Sequence, residues 1–317
     1  MRYGCFPYII AAVKAMQITS DFNQKIAEFP ASAALVLENI PAQLGKLDAA
    51  QVEELKAAMS LSLEELMIQL LPVAASLSVA EISDFRVGVV AEGLSGSLYL
   101  GANLEFTGQP LKTTVHAEQF AVVNAWHRGE QGLKRLVVNE APCGHCRQFL
   151  NELCRVDQLQ VIVYNNSKGE ARHYTIGELL PDRFGPADLG MEDGALMCDL
   201  SYPLELPAEL EGDELAEVAL FAASKSYAPV CQSRAGIALR LKSGRIVTGR
   251  YGANAAFNPG VTAMESAAVN WRLALLHNTE DAIEEAVMVE QPSKSSQKEL
   301  AASFLNKYGI SLRYIQL

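Results

Sequence analysis

Apolar residues recur at helical spacing through the first part of the chain, and the period then shortens to that of strands. From Asp21 to about Ser60 the chain is rich in Ala and Leu and is punctuated by Pro30, Pro41 and Gly45, which predicts a small helical cap. Leu61 to Leu77 predicts one longer helix, with Glu64 and Glu65 on its wet side. The run Ser83 to Ala91 has strand composition. A turn over Gly93 to Gly96 and the run Leu98 to Gly101 complete a hairpin. A helix opening at His116, a strand Leu136-Val137-Val138 and a helix opening at Cys143 follow. This order predicts an α/β layer whose sheet is covered by helices. Both helix starts then fall at one edge of the sheet, where open α/β sheets place their sites.

The segment Leu180-Pro181-Asp182-Arg183-Phe184-Gly185-Pro186 reads as a boundary, and 187–210 as a linker. Beyond it the pattern repeats. Tyr251 to Phe257 echoes Leu100 to Phe106, and Ala263 to Val269 echoes His116 to Val122. Ile237 to Arg240 with Arg245 to Gly249 echoes the first hairpin, and Ala286 to Val289 echoes the strand before Pro142. In this reading Ala263 stands where His116 stood, and Ala255 or Ala256 where Glu105 did. Glu265 survives without ligands beside it, so the second copy reads as a non-catalytic scaffold. The expected division is 1–60, 61–186, 187–210 and 211–317.

The chain has 317 residues, half of them hydrophobic, enough to bury two cores. Its net charge of −11 and its scattered Lys and Arg disfavour a nucleic-acid partner. Of the six cysteines only Cys143 and Cys146 have motif spacing; this is no disulfide framework, and it suits a reducing, cytoplasmic setting. No apolar run approaches the roughly 18 residues of a membrane span. Residues 1–15 read as an extension rather than a signal peptide.

The chemistry lies in His116-Ala117-Glu118 and Pro142-Cys143-Gly144-His145-Cys146. Cys143 and Cys146, at i and i+3, share one face of a helix, and Pro142 fits at or before its first turn. The positive end of that helix favours thiolates. His116 would be the third ligand of a tetrahedral zinc, leaving one corner for water. Glu118 would move protons between that water and a substrate. His145 should point away from the cysteine face. A structural zinc would need a fourth protein ligand, and none is evident. Asn103 and Glu105 alternate with Leu104, so their side chains face one way. Alone they read as a turn Asn and a solvated Glu, and Phe85 as core.

These motifs, in the order GANLEF, TVHAEQ, NEAPCGHCRQFLNEL, DRFGPADL and GANAAFNP, resemble the long, two-domain cytidine deaminases, over about Leu61 to Leu317. The resemblance implies a duplicated three-layer α/β/α fold, with a catalytic first copy, a degenerate second copy and a small helical segment ahead of both. It implies a homodimer with one Zn2+ per subunit, held by His116, Cys143 and Cys146 near the subunit interface, and Glu118 as the proton shuttle. It assigns Asn103 and Glu105, with Leu104 between them, to the ribose and Phe85 to the pyrimidine face. The Ala117 N–H and Ala141 C=O are assigned to the base edge, and Phe184 and Ala256 to the partner's site. The expected activity is hydrolysis of cytidine and 2′-deoxycytidine to uridine and 2′-deoxyuridine with release of ammonia, a pyrimidine-salvage reaction on a small nucleoside with no membrane partner. Two rivals remain open here: deamination of a base in nucleic acid, and a non-catalytic zinc-stabilised dimer module.

Overall fold

A computed structural model of the chain describes residues 21–191 and 195–317. The expected extension over 1–15 lies outside the described residues. Residues 21–27 are helical, followed by α1 (Ala31–Leu37), β1 (Lys46–Leu47) and α2 (Ala49–Met59). Asp48 starts α2 by accepting from the Gln51 N–H, while Gln51 accepts from the Asp48 N–H. The stretch is not purely a helical cap, because β1 pairs antiparallel with β3 and becomes the edge of the main sheet.

The helix expected over Leu61 to Leu77 is two: α3 (Leu63–Gln69) and α4 (Leu71–Ala75). The break falls at Leu70, two residues before Pro72, which lacks an N–H to continue the ladder and crowds the preceding turn. Then come β2 (Gly88–Gly93), β3 (Leu98–Ala102), α5 (Ala117–His127), β4 (Leu133–Val138), α6 (Gly144–Leu150), β5 (Gln160–Asn165), β6 (Glu170–Thr175) and α7 (Ile176–Leu179). The strand expected from Ser83 begins only at Gly88. Asp84 has φ +54° and the Ser83 hydroxyl accepts from the Phe85 N–H, so residues 81–87 form a looped approach to the sheet.

The six strands lie in the order β1-β3-β2-β4-β5-β6, with β4 and β5 parallel. A Cβ on Gly88 would meet the backbone of α4, and one on Gly101 the backbone of α5. Gly88 pairs with Ala102 and Gly101 with Val89, so the two glycines face opposite sides and the sheet lies between the two helices.

The second half repeats this plan with α8 (Glu214–Ser224), β7 (Ala235–Leu241), β8 (Ile246–Arg250), α9 (Ala263–Leu275), β9 (Ile283–Glu290), α10 (Lys298–Asn306) and β10 (Leu312–Gln316). Its strand order is β10-β9-β7-β8. Gly236 admits α8 on one face and Gly249 admits α9 on the other. Even the register shift of the first sheet, at Glu92/Gly93, recurs at Arg240/Leu241.

The halves meet through α5 and α9, where His127 Nε2 lies 2.8 Å from Ser266 Oγ and Arg250 stacks 4.0 Å over the Trp126 ring. Within the stretch read as a linker, Leu196 is fully buried. Its N–H donates to Glu152 O and its carbonyl accepts from the Cys154 N–H. Among the described residues, no single helix is long and apolar enough to cross a membrane.

Candidate metal centre and active site

Two helix N-termini converge on one point. His116 is the N-cap of α5 and Cys143 the N-cap of α6. The cap position has extended backbone, so each side chain leaves the helix axis and turns into the space between the two helix ends. Gln119, three residues on, accepts from the His116 N–H at 3.0 Å and steadies that geometry. Cys146 lies one turn into α6 and is buried, while Cys143 is exposed.

Cys143 Sγ is 3.6 Å from His116 Nδ1 and 3.7 Å from Cys146 Sγ. All three ligand atoms lie within 4.8 Å of one another. A tetrahedral zinc with Zn–S of about 2.3 Å and Zn–N of about 2.0–2.1 Å sets its sulfurs about 3.8 Å apart and its sulfur and nitrogen about 3.6 Å apart. The donor set and its spacing therefore fit zinc, with one coordination corner left open.

The charges agree with that fit. The Cys146 thiol and the His116 ring hold the Cys143 thiol down to about 3. The same contact, with burial and the Glu118 carboxyl, pushes the Cys146 thiol well above its usual range. The Cys143 partner raises His116. Burial raises Glu118, which is only 4% exposed on the first turn of α5. The Cys143 thiolate, with burial, opposes ionisation of Cys146 and Glu118; a dication among them relieves that conflict. His145 does not point away as expected. Its ring stacks on His116, with centroids 4.9 Å apart, and its Nε2 is buried without a hydrogen-bond partner.

A second group of residues stands beside the first. Leu104 exchanges both backbone hydrogen bonds with Val115, which sets Asn103 beside His116 and Glu105 beside Thr114; the Leu104 side chain itself is buried. Asn103 Oδ1 accepts from Ser78 Oγ and the Val87 N–H, and its Nδ2 donates to Phe85 O. Glu105 Oε2 accepts from the N–H groups of Ile82 and Ser83, and Oε1 from the Ser83 hydroxyl. Burial opposes the Glu105 charge, and the bonds from Ser83 and Ile82 overcome it, leaving the carboxyl below its usual range. Phe85, on the loop these residues hold, is 53% exposed. Ala117 is buried at the start of α5, and Ala141 is exposed just ahead of Pro142.

Residues 61–163 and 176–303 both match the cytidine and deoxycytidylate deaminase zinc-binding region. A cytidine deaminase of Vibrio parahaemolyticus is 44% identical over 244 residues, covering 77% of this chain and 79% of that protein. One of Yersinia pestis is 41% identical over 298 residues, covering 92% and 96%. The chain belongs to the cytidine and deoxycytidylate deaminase family. Its cofactor is Zn2+. A solved cytidine deaminase from Burkholderia pseudomallei matches 38% of this chain and 98% of its own, at 29% identity and a TM-score of 0.35.

Phe184 and Ala256, expected in a partner's site, lie in a third group at the C-terminal end of α6. The carbonyl of Phe184 accepts from Gln148 Nε2 at 2.8 Å and Asn151 Nδ2 at 2.9 Å. The Ala256 N–H donates to Asn254 Oδ1, and Asn254 Nδ2 donates to Gln148 O at 3.0 Å. The Ala255 N–H donates to Glu152, which also accepts from Tyr227. Asn254 and Ala255 thus brace the cysteine-bearing helix, and the residues just past it, of their own chain.

The internal repeat also has a different register from the one its letters suggest. Leu104 opposes Val115 as Gly252 opposes Val261, and Gly101 and Gly249 admit equivalent helices. Asn103 therefore corresponds to Tyr251, Glu105 to Ala253, His116 to Thr262 and Gln119 to Glu265. Glu265 is not a surviving Glu118; that position is Met264. Gln119, Gln148 and Asn254 escaped notice in the sequence. Only Gln119 carried a local signal, its spacing of three from a cap.

Proposed function

We propose that this chain deaminates cytidine and 2′-deoxycytidine at the His116/Cys143/Cys146 centre, with Glu118 as its proton shuttle. The reaction adds water to C4 of the base, breaks the C4–N4 bond and releases ammonia. The observation that carries the reading is the tetrahedral spacing of two thiols and an imidazole, with a buried carboxyl on the adjoining helix turn.

Bound zinc supplies Lewis-acid activation, lowering the pKa of a water from about 15.7 to about 7. Glu118 would take a proton from the attacking water and pass it to N3 of the base; it would then take the proton of the new C4 hydroxyl, as C4=O forms, and deliver it to the departing amine. Burial raises its carboxyl above the usual range, which makes it a better proton acceptor than a solvated carboxylate. The Ala117 N–H and the Ala141 C=O offer a donor and an acceptor to the base edge, and the exposed Phe85 ring offers it an apolar face.

The remaining hydrogen-bonding capacity of Asn103 and Glu105 suits a sugar. Asn103 spends both acceptor sites of Oδ1 and one N–H on the loop, which leaves one N–H. Glu105 accepts three bonds, and a carboxylate accommodates about four. One free donor beside one free acceptor matches a pair of hydroxyls. Leaving such groups without a partner costs about 1–3 kcal/mol each, so free cytosine should be a poor substrate.

A homodimer is part of this reading. Phe184 and Phe257, at 44% and 68% exposure, together with Phe85, are apolar surface that a second copy would cover. Phe184 and Ala256 would then border the partner's substrate. A reducing, cytoplasmic setting keeps the ligand thiols available.

The test is absorbance loss on incubation with cytidine, in parallel with CMP, cytosine and single-stranded DNA, with mass measured by light scattering. Turnover of cytidine that a zinc chelator abolishes, by a particle of twice the chain mass, supports the proposal. Turnover of nucleic acid in preference to cytidine would refute it, and a monomer of full activity would remove the dimer from it.

A further inference from the structure

One residue of the second half, Arg272, reaches the segment that holds Asn103 and Phe85. Arg272 lies on α9 and is buried. Its Nε donates to Leu77 O at 2.8 Å and its Nη2 to Ser78 O at 3.2 Å. These two carbonyls come just after α4, at the root of the looped segment that leads to Phe85. The planar fork of a guanidinium spans two consecutive carbonyls, whereas an ammonium offers a point charge without that geometry.

Ser78 is held at both ends. Its carbonyl takes the Arg272 bond, and its hydroxyl donates to Asn103 Oδ1. The next residue continues the link, because the Val79 N–H donates to Asn103 O and Val79 O accepts from the Glu105 N–H. The amide of Asn103 therefore has one orientation. Oδ1 faces two donors, one Nδ2 proton faces Phe85 O, and one N–H remains. Burying a guanidinium costs solvation, and burial, with the Arg86 charge, brings this one down to about 9. An apolar side chain would fill the same space without that cost, but it would leave two buried carbonyls unbonded and the Ser78 turn unanchored.

We propose that Arg272 is a positioning residue for sugar recognition: by fixing the carbonyls of Leu77 and Ser78 it fixes the Ser78 hydroxyl on Asn103, and so fixes the free Asn103 N–H toward the sugar. This rests on the reading of Asn103 as a ribose contact. It predicts that Arg272 matters to binding of the sugar and not to the chemistry at the base.

The experiment compares kcat and KM for cytidine and for 2′,3′-dideoxycytidine, which lacks the hydroxyls in question, in the zinc-loaded full chain. The variants are Arg272→Met, Arg272→Lys, Asn103→Ala and the double Asn103→Ala/Arg272→Met. Zinc content and the urea midpoint are measured for each. With Arg272→Met, KM for cytidine should rise about tenfold, the worth of one hydrogen bond. Its kcat should stay within about twofold, and KM for the dideoxynucleoside should barely move. Arg272→Lys, which keeps the charge but not the fork, should fall between Met and the parent. The double variant should be no worse than Asn103→Ala alone, because both act on one contact.

Equal losses on both nucleosides, a fall in kcat at unchanged KM, or additive effects in the double variant would each overturn the proposal. Should Arg272→Met fail to fold, Arg272→Lys decides by the same comparison. If Asn103→Ala itself treats the two nucleosides alike, the ribose reading fails and the proposal with it. If Asn103→Ala discriminates and the Arg272 variants do not, only the proposal fails.

Discussion

In the first half, the helix laid across the hairpin starts at His116; in the second half, the equivalent helix starts at Thr262. The scaffolds around the two positions share their pairing, their bulge and the glycines that admit the helix. The residue three places on bonds back to the cap N–H in both, as Gln119 in one and Glu265 in the other. Thr262 does what a cap requires, its hydroxyl accepting from the Glu265 N–H, and nothing more. His116 gives up that side-chain bond to aim a ring nitrogen at two thiols. Beside its cap, the second half is closed by the chain itself. The Ala263 N–H, counterpart of Ala117, donates to Gln297 at 2.8 Å. Glu290 is bound by Ser233, Ser296, Tyr314 and the Gln297 N–H. One backbone plan thus supports a reactive pocket or a closed core, depending on the residue that caps one helix and the segment that leaves one strand.

Making the first half resemble the second should have the largest effect. His116→Thr keeps a good cap, so unfolding by urea should be close to that of the zinc-free parent. It removes one of the three proposed ligands, so zinc content and cytidine turnover should fall below detection. A variant that holds a full equivalent of zinc and turns over would show that His116 is not a ligand. Next comes Glu118→Gln, which keeps the size and the metal but removes the proton acceptor. Its kcat should drop about 10^2–10^4-fold, the usual worth of a general acid–base group. Glu265→Gln, its look-alike in the second half, should leave kcat unchanged. Loss of turnover in the second variant would mean that the repeat register set by the strand pairing is wrong.

That register marks how far the sequence could be read. The candidate ligand cluster was legible because zinc chemistry demands particular atoms at short, fixed spacings, and His116, Cys143 and Cys146 meet that demand locally. The hairpin and both helix starts were legible for the same reason: their signals are local. The repeated letters Gly-Ala-Asn at 101 and 252 were misleading. Structural equivalence follows hydrogen-bonded pairing, and that pairing makes Tyr251, not Asn254, the counterpart of Asn103. Asn254 serves instead to clamp Gln148. Arg272 and Gln148 gave no signal at all, since a helical Arg or Gln is ordinarily solvated and only the fold brings Arg272 to buried carbonyls of the first half and Gln148 to Phe184 O and the Asn254 side chain. The two-residue strand β1 lies below the length at which alternation can be detected.

A matched pair of glycine substitutions tests the shared scaffold itself. A Cβ at Gly101 would lie 2.5 Å from Ala117 O, and one at Gly249 2.0 Å from Ala263 O. In both cases the obstacle is helix backbone, which cannot step aside as a side-chain tip can. Gly101→Ala and Gly249→Ala should each cost about 3 kcal/mol by urea unfolding, at the upper end of overpacking effects. Only Gly101→Ala displaces the helix start bearing His116 and Glu118, so its kcat should fall at least about tenfold while Gly249→Ala stays within about twofold. Equal losses of kcat would mean that α9 is as much part of the active site as α5.

The smallest effect lies in the pH dependence of stability, where Glu265 and Gln119 part company. Burial pushes the Glu265 carboxyl up to about 7, against about 4.3 for an unfolded Glu. The folded state therefore holds this proton more tightly than the unfolded state. Between pH 4.3 and 7 it binds more protons, so stability falls as pH rises through that window and levels off above it. Gln cannot ionise, yet its amide oxygen can still accept from the Thr262 N–H, as Gln119 does from His116. Glu265→Gln should therefore be nearly neutral at pH 4.5 and stabilising at pH 8. The full shift corresponds to at most about 4 kcal/mol; relaxation around the carboxylate and the nearby Lys112 should reduce this to about 1–2 kcal/mol. Zinc binding also depends on pH, but equally in parent and variant, so it cancels in the difference between their urea midpoints. A difference that stays constant from pH 4.5 to 8 would mean that Glu265 is ionised throughout, and that the second half keeps a charge at the position where the first half carries none.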